Sequence, residues 1–443
     1  MHIKEQLPQL LQQLGIEKLN PMQEEALMMM PKEPETLLLA PTGSGKTIAF
    51  LFSVLQLIDK NKQGIQCLIL CPSRELVIQI EQVWKKMSTG FKVNSCYGGH
   101  SLAVEKQNLS VPPTLLIGTP GRIADHLHRK TIDVSATSII VYDEFDKSLA
   151  LGFHEQMNYI MNYLPALQNK ILVSATSKIE IPDFINLVHP VMLDFIDKVE
   201  DDARLKIYQV HSEAKDKIAC LDALLCNLGA NPTIVFCNHR EAVERTSKML
   251  SERGIDNAFF HGGMDQIDRE KTLIQFRNGS VHFLIASDLA ARGLDISSVK
   301  NIIHYHLPTK SEEFIHRNGR TARMHASGDA YIILSKDEEL PRYIDDVPEE
   351  YIIQANKDTP PPSVWSTLYI SGGKKDKLSK GDILGYLTKA VGIHKDEIGM
   401  IELLDFMSFV AIKKATIKNY LPKMKQEKIK GRAYKVELVS NRI

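Results

Sequence analysis

The chain of 443 residues is poor in the features that mark membrane and secreted proteins. It has no run of eighteen apolar residues and no N-terminal charged segment followed by an apolar one, so we expect a cytoplasmic protein without a membrane partner. Its six cysteines form no CxxC pair, which favours reduced thiols over disulfides or a zinc site. Net charge is also absent, with 54 Lys and Arg against 54 Asp and Glu. These absences leave a globular protein whose function must be sought in local motifs.

The zero net charge conceals an uneven distribution. Residues 364–443 carry sixteen Lys or Arg against eight Asp or Glu, so this segment has a surplus of eight positive charges and the remainder a surplus of eight negative ones. A basic segment on an acidic body favours a tether for a polyanion, because Lys and Arg that neutralise phosphates release counterions. A solvated lysine face is the alternative.

The length and the order of apolar segments predict several domains. Residues 1–200 and 205–345 each alternate short apolar runs with helical patterns, which predicts two α/β domains with parallel sheets. Residues 346–363 are acidic and then proline-rich, which predicts a stiff linker. Residues 364–443 follow the order βαββαβ, the ferredoxin-like arrangement of RRM modules.

A glycine-rich loop is the strongest local signal. Residues 40–47 read APTGSGKT, after an apolar run and before a helical pattern. The glycines let the backbone curl around a phosphate, the lysine neutralises its charge, and the last hydroxyl is suited to Mg²⁺. The loop therefore predicts a site for the phosphates of a nucleotide and for Mg²⁺. The nucleotide-binding residues predicted here are Thr42, Gly43, Ser44, Gly45, Lys46 and Thr47.

An acidic quartet at residues 143–146 complements the loop. It follows the strand-like run 139–142, and a carboxylate at the end of a buried strand can complete a metal shell. We predict that Asp143 binds Mg²⁺ and that Glu144 polarises the attacking water. Either motif alone can arise by chance, but their order predicts a nucleotide triphosphatase.

Further motifs extend along the first three quarters of the chain. In order they are Gln23, residues 72–76 (PSREL), 98–99 (GG), 119–122 (TPGR), 174–176 (SAT), 235–240 (VFCNHR), 287–295 (SDLAARGLD) and 316–323 (HRNGRTAR). This succession resembles the DEAD-box ATP-dependent RNA helicases over about residues 10–340. The resemblance implies two tandem RecA-like domains and ATP hydrolysis driven by their closure on RNA.

The resemblance also implies roles in ATP hydrolysis. Gln23 would read the adenine edge, and Asp295 would lie near the ribose. Arg320 and Arg323 would act as arginine fingers on the γ-phosphate, so that hydrolysis depends on domain closure. Coupling between ATP and RNA is implied for Asp146, Ser174, Thr176 and His316.

RNA contacts are implied for a second group of residues. They would hold the phosphodiester backbone, which carries no sequence information, so the helicase core should bind RNA with little sequence preference. Closure would then bend one strand and separate a short duplex locally. The residues are Arg74, Gly98, Gly99, Thr119, Gly121, Arg122, Arg240 and Ser287.

The basic C-terminal segment resembles the RNA-binding domain of bacterial DEAD-box helicases devoted to 23S ribosomal RNA. That resemblance implies a hairpin of the peptidyl-transferase region and precursor large-subunit particles as partners. Tyr369 and Phe409 occupy strand positions at which RRM modules stack bases, although they can equally be ordinary sheet residues. Lysines are therefore the stronger prediction for RNA contact. The basic residues concerned are Lys374, Lys375, Lys377, Lys380, Lys428, Lys430 and Arg432.

The sequence departs from the family pattern in four places. Phe145 replaces an alanine beside the catalytic carboxylate, where space must be found for the ring, and we expect catalysis to survive. Gln6 replaces an upstream aromatic, which predicts weaker ATP affinity or laxer base choice. Ala322 and Ser287 are mild changes that remove no charge.

The sequence leaves other functions open. The alternatives are a general RNA helicase without ribosomal specificity, an ATP-dependent RNA clamp with impaired hydrolysis, and a related motor that acts on DNA. Comparing ATP turnover with different nucleic acids distinguishes all of them. Two α/β domains on a flexible joint need no second chain to close, so a monomer is expected.

Overall fold

A computed structural model describes residues 3–99, 102–176, 180–196, 205–288, 299–321, 328–344, 346–354 and 358–439. Within these ranges no helix combines the length and the apolar character that crossing a membrane requires. The described residues fall into two compact units, one within residues 3–196 and the other within 205–439.

The first unit is a seven-stranded parallel sheet in the order β3-β4-β2-β5-β6-β1-β7. Its strands are β1 Glu35–Leu39, β2 Cys67–Leu70, β3 Val93–Cys96, β4 Leu115–Gly118, β5 Ile139–Tyr142, β6 Asn169–Ser174 and β7 Val191–Asp194. Its helices are α1 Ile3–Leu14, α2 Pro21–Met29, α3 Lys46–Leu57, α4 Arg74–Lys86, α5 Leu102–Asn108, α6 Pro120–His128, α7 Phe145–Ala150 and α8 His154–Met161.

Helices cover both faces of this sheet. Leu38 and Ile69 belong to one hydrophobic cluster, whereas their neighbours Leu39 and Leu68 belong to another. Because successive side chains of a strand point to opposite faces, each strand contributes to two cores. This explains why the strands appear in the sequence as continuous apolar runs.

The second unit contains another seven-stranded parallel sheet, in the order β10-β11-β9-β12-β13-β8-β14. Its strands are β8 Leu205–Ser212, β9 Thr233–Cys237, β10 Asn257–Phe260, β11 Phe283–Ser287, β12 Asn301–His304, β13 Gly328–Ser335 and β14 Glu349–Glu350. Its described helices are α9 Ile218–Leu228, α10 Arg240–Glu252, α11 Gln266–Arg277 and α12 Ser311–Asn318. Strand β14 lies in the segment predicted as a linker and pairs with β8, so part of that segment is an edge of the sheet.

The C-terminal residues form an antiparallel sheet in the order β16-β17-β15-β18. The strands are β15 Trp365–Ile370, β16 Ile398–Leu403, β17 Ser408–Lys413 and β18 Val436–Leu438. The helices are α13 Lys380–Gly385, which continues as a π-helix over Tyr386–Val391, and α14 Lys414–Gln426. This is the predicted βαββαβ order, and the fold class derived from the sequence is confirmed.

One face of the antiparallel sheet packs on its own helices, and the other packs on α11 and the turn after it. Leu368 and Ile370 point into the core of the small domain. On the opposite face, the Asn278 amide donates to the Thr367 hydroxyl at 2.9 Å, and Arg277 pairs with Glu402 at 2.6 Å. These contacts place the second parallel sheet and the antiparallel sheet in one compact unit.

Candidate active site and nucleic-acid interface

Predicted nucleotide and coupling residues of the first unit meet at the carboxyl ends of three adjacent strands. The loop 40–45 follows β1 and leads into α3, Asp143 follows β5, and Ser174 ends β6. Since β5, β6 and β1 are neighbours in the sheet, residues far apart in the sequence come together at one edge. The carboxyl edge of a parallel sheet is the usual place for a ligand.

The conformation of the loop requires its glycines. Gly43 and Gly45 have φ angles of 85° and 87°, a region that favours glycine. A Cβ atom on Gly45 would lie 2.4 Å from the side-chain nitrogen of Gln23. The Ser44 hydroxyl is buried and has no hydrogen-bond partner in the described structure. A loop with an unpaired buried donor at a helix N-terminus fits a phosphate group.

Gln23 is tied directly to this loop. It forms a capping box with Asn20 at the start of α2. In this box the backbone N–H of Gln23 donates to the Asn20 side chain at 2.9 Å. The Gln23 side chain donates to the Gly45 carbonyl at 3.3 Å, and that of Asn20 donates to the Ser44 carbonyl at 2.9 Å. Helix α2 therefore buttresses the phosphate loop, while adenine reading by Gln23 stays a prediction.

Lys46 and Asp143 form the electrostatic centre of the site. The Lys46 ammonium donates to the carbonyls of Ala40 and Pro41 at 2.6 and 2.8 Å. Burial lowers the pKa of Lys46, an effect that Asp143 opposes. Burial, followed by the charge of Glu144, raises the pKa of Asp143, an effect that Lys46 opposes. A desolvated carboxylate gains stabilisation from a bound metal ion, so Asp143 is suited to binding one.

Glu144 occupies a special backbone position at the N-terminus of α7. Its φ angle is 50°, which is rare for a residue with a side chain and often accompanies functional sites. Its backbone N–H donates to the Asp143 carboxylate at 2.9 Å, and its own carboxylate pairs with Lys147 at 2.6 Å. Lys147 was not among the residues predicted from the motifs, because the quartet ends one residue before it.

The Phe145 ring does not crowd the catalytic carboxylate. It is fully buried in the hydrophobic cluster of one sheet face, with its ring centroid 5.5 Å from that of Tyr142. The chain turns at Glu144, so the next side chain points into the core. The hydrophobic core of the domain therefore provides the space that the Phe145 ring needs.

Ser174 and Thr176 lie beside the nucleotide residues. The Thr176 backbone N–H donates to the Ser174 hydroxyl at 3.1 Å, which closes a small turn after β6. Asp146 lies in the first turn of α7. The predicted coupling residues of the first unit thus share the carboxyl edge with the loop and the quartet, and their coupling role stays a prediction.

The predicted RNA-contacting residues of the first unit gather at the other half of the same edge. Arg74 begins α4 after β2, Gly98 and Gly99 follow β3, and Thr119 precedes α6 after β4. These three strands are neighbours in the sheet. A Cβ atom on Gly98 would lie 3.3 Å from the Arg74 guanidinium, so the loops after β2 and β3 are in contact.

Glu105, which the sequence analysis missed, fixes the loops after β3 and β4 to each other. Its carboxylate accepts a hydrogen bond from Arg122 at 2.7 Å, lies 2.8 Å from the ring nitrogen of His126, and accepts from the Tyr97 backbone N–H at 3.3 Å. Together with Cys96 and His126 it forms a buried group with the spacing of a cation site. The Arg122 guanidinium already neutralises the carboxylate, so we assign the network to holding Arg122. A single carboxylate in a short helix gives no distinctive sequence pattern.

We expect Glu105→Gln to weaken RNA binding without affecting ATP binding. The substitution removes the charge that orients Arg122, so RNA affinity should fall by about 1 kcal/mol, or roughly fivefold. Fluorescence anisotropy with a labelled single strand measures the effect. Glu81→Gln, which breaks the ion pair with the exposed Lys85 of α4, is the matched control. Equal affinities of the two variants would contradict the role of the network.

The second unit holds the other predicted residues that the structure describes. Arg240 begins α10 and is exposed, whereas Ser287 ends β11 and is buried. His316 lies in α12 and Arg320 lies two residues after its end, and both are buried. Asp295 and Arg323 lie outside the described residues, as does Ala322.

Arg317, between two predicted residues, is buried and makes several side-chain contacts. It makes two bonds of 2.5 Å to the Asp288 carboxylate and one of 2.8 Å to the Asn238 side chain. Its guanidinium carbon lies 5.0 Å from the centre of the Phe236 ring. Arg317, on α12, therefore contacts both the end of β9 and Asp288, which follows β11. These three segments carry the motifs at residues 235–240, 287–295 and 316–323.

The small domain presents two different surfaces. Phe409 is fully buried 5.6 Å from the Tyr369 ring, and Tyr369 itself faces Lys271 of α11. The prediction that Phe409 stacks on a base does not fit this burial, because the sheet face is covered by the second domain. The other predicted RNA contacts are exposed, and the Lys430 ammonium donates to the Lys377 carbonyl at 3.0 Å. We call this surface the basic edge; it comprises Lys374, Lys375, Lys377, Lys380, Lys428, Lys430 and Arg432.

Comparison with known proteins identifies the family. Successive parts of the chain match the models for the DEAD/DEAH box helicase (residues 20–184), the helicase conserved C-terminal domain (216–325) and the DbpA RNA binding domain (367–438). The ATP-dependent RNA helicase DbpA of Escherichia coli K12 is 32% identical over 442 residues, which span 97% of this chain and 96% of that protein. The chain belongs to the DEAD/DEAH box helicase family.

Other relatives agree with this assignment. The ATP-dependent RNA helicase DbpA of Bacillus subtilis 168 is 29% identical over 467 residues, covering 96% of each chain. Dbp5 of S. cerevisiae bound to RNA and ADP BeF3 shares the fold, with a TM-score of 0.66, 24% identity and coverage of 76% of this chain and 90% of that one. This DEAD/DEAH box helicase is therefore an ATP-dependent RNA helicase with two RecA-like domains and a DbpA-type RNA-binding domain.

Proposed function

We propose that this helicase anchors itself on a hairpin of 23S ribosomal RNA through the basic edge and opens nearby duplexes during assembly of the large ribosomal subunit, as a monomer in the cytoplasm. The basic edge carries this proposal. Its lysines are exposed, the Lys430 ammonium contacts the Lys377 carbonyl, and the opposite sheet face is covered by α11. A concentration of exposed lysines is suited to the backbone of a folded RNA.

The first unit supplies the chemistry of ATP hydrolysis in this proposal. The loop with its unpaired Ser44 hydroxyl binds the phosphates, and Lys46 leaves its own loop carbonyls to neutralise them. Thr47 and Asp143 have the oxygen donors that Mg²⁺ prefers and would hold it, where it would neutralise the developing phosphate charge. Glu144 orients the attacking water.

Residues of the second unit complete the proposed active site. Arg320 and Arg323 stabilise the γ-phosphate when the two RecA-like domains close, and Asp295 and His316 assist nucleotide binding and closure. Because these groups lie on a separate domain, turnover requires the closed, RNA-bound state. The burial of Phe145 in the core gives no support to the alternative of a clamp with blunted hydrolysis.

The test measures ATP turnover at moderate salt in four parallel reactions. One contains no nucleic acid, and the others contain a 23S fragment with the peptidyl-transferase hairpin, an unrelated RNA hairpin, or DNA of matching sequence. We expect half-maximal stimulation by the 23S fragment at a concentration at least about tenfold lower than by the other RNA. Equal stimulation by both RNAs would retain the helicase and contradict the ribosomal specificity.

A triple substitution tests the basic edge directly. Lys374→Ala, Lys375→Ala and Lys377→Ala together should raise the 23S fragment concentration needed for half-maximal turnover by at least about tenfold, because three phosphate contacts are lost. Lys418→Ala, Lys423→Ala and Lys425→Ala on α14 remove the same charge from an exposed helix of the same domain. Equal losses in the two triple variants would show a general electrostatic effect and contradict a defined edge.

A further inference from the structure

Lys147 is a buried cation that has no role in the proposed mechanism of ATP hydrolysis. It is the third residue of α7, and its side chain is only 4% exposed. Its ammonium lies 2.6 Å from the Glu144 carboxylate, whose side chain is 14% exposed. Lysine is rarely buried to this degree unless it is paired, so the pair is a built feature of the site.

The surroundings explain why Glu144 needs a fixed cation. Three carboxylates, on Asp143, Glu144 and Asp146, share one turn of chain at the edge of the sheet. Lys46 donates to the carbonyls of its own loop and moves to the phosphates in the proposed mechanism. A triphosphate brings further negative charge into this desolvated space, where like charges repel strongly. A carboxylate without a nearby cation would be driven out of position.

The backbone determines which cation can do this. Glu144 adopts the left-handed conformation at the N-terminus of α7, and Lys147 follows three residues later in the first turn. The 2.6 Å distance shows that the two side chains meet across this turn. The ammonium is thus held on the same short element as the carboxylate and keeps its distance when other parts of the molecule move.

We propose that Lys147 is a positioning residue that holds the Glu144 carboxylate in the orientation required to align the attacking water. The inference rests on the proposed role of Glu144. Lys147 acts through its ion pair with Glu144 and hence through the geometry of that carboxylate. A misplacement of about 1 Å at a reacting centre can reduce a rate by about 100-fold.

The experiment compares Lys147→Gln, Lys147→Arg and the wild-type protein. We expect kcat for RNA-stimulated ATP hydrolysis to fall by about 10- to 100-fold in the glutamine variant, with KM for ATP unchanged within about twofold. The arginine variant should recover at least about a third of the wild-type kcat, because it restores the ion pair. Affinity for a non-hydrolysable ATP analogue and for single-stranded RNA should stay unchanged in both variants.

Two controls separate the possible failures. Lys85→Gln removes a lysine from another helical Lys–Glu pair of the same unit, at 3.0 Å and exposed, and should leave kcat unchanged. Glu144→Gln tests the underlying assignment, because full turnover in that variant contradicts the role of Glu144 itself. Loss of turnover in Glu144→Gln with normal kcat in a folded Lys147→Gln contradicts the positioning role alone. A parallel loss of analogue affinity and thermal stability in Lys147→Gln would also overturn it, in favour of a purely structural pair.

Discussion

Glu144→Gln is expected to lower kcat for RNA-stimulated ATP hydrolysis by about 10²- to 10⁴-fold, the range typical for loss of a general base. The amide keeps the size of the side chain and can still occupy the N-terminal position of α7. It cannot accept a proton from water, and its attraction to Lys147 is lost. Steady-state release of phosphate, with RNA at saturation, measures the effect.

The same variant should still bind ATP and RNA, because Gln23, the glycine loop and Lys46 are untouched. Retention of a labelled RNA strand in the presence of ATP should therefore equal or exceed that of the wild type. Glu155→Gln, on an exposed position of α8, is the control for removal of one surface carboxylate. A kcat within tenfold of wild type for Glu144→Gln would remove this residue from the proposed mechanism.

Arg317→Ala is expected to destabilise the second unit by about 3–5 kcal/mol, the cost of breaking a buried ion pair by removing one partner. The substitution leaves the Asp288 carboxylate without the guanidinium that makes two bonds of 2.5 Å to it. It also removes the bond to Asn238 and the contact with the Phe236 ring. Denaturant unfolding, followed by a probe in the second unit, measures the loss.

A control and a double variant make this prediction specific. Arg253→Ala removes an arginine that is 37% exposed and lies 3.6 Å from Asp222, so it should cost at most about 1 kcal/mol. Arg317→Met combined with Asp288→Leu should recover part of the stability, since no charge is left buried alone. A cost of 1 kcal/mol or less for Arg317→Ala would mean that the three motifs do not depend on this side chain for their arrangement.

The sequence predicts the nucleotide site well because its chemistry is local. The loop around Gly43 and Gly45 and the quartet that begins at Asp143 each carry their function in a few consecutive residues. The parallel sheet then brings them together without further information, since each follows a buried strand. Two sheets, the βαββαβ order and the family resemblance follow from similar local patterns.

Residues that act through distant partners escaped prediction. Glu105 lies 17 residues from Arg122, and Asp288 lies 29 residues from Arg317, so no short pattern joins them. The strand position of Phe409 is compatible with either an RNA-stacking aromatic or an ordinary sheet residue. Its burial depends on a face that the second domain covers through α11, which the strand pattern does not encode. For Phe145, the sequence gives the size of the ring but not the direction in which the chain turns.

The docking of the antiparallel sheet on α11 holds the RNA-binding domain against the second RecA-like domain. Arg277, Asn278 and Lys271 attach that sheet through both charged and polar contacts. Under the proposed function, an RNA hairpin held at the basic edge would therefore keep a defined offset from the second RecA-like domain. A flexible tether would let the helicase open any duplex within its reach. Under the proposed anchoring, a defined offset would make the protein select a duplex by its spacing from the anchoring hairpin. Moving that duplex along the RNA by half a helical turn would then present its opposite side to the helicase core.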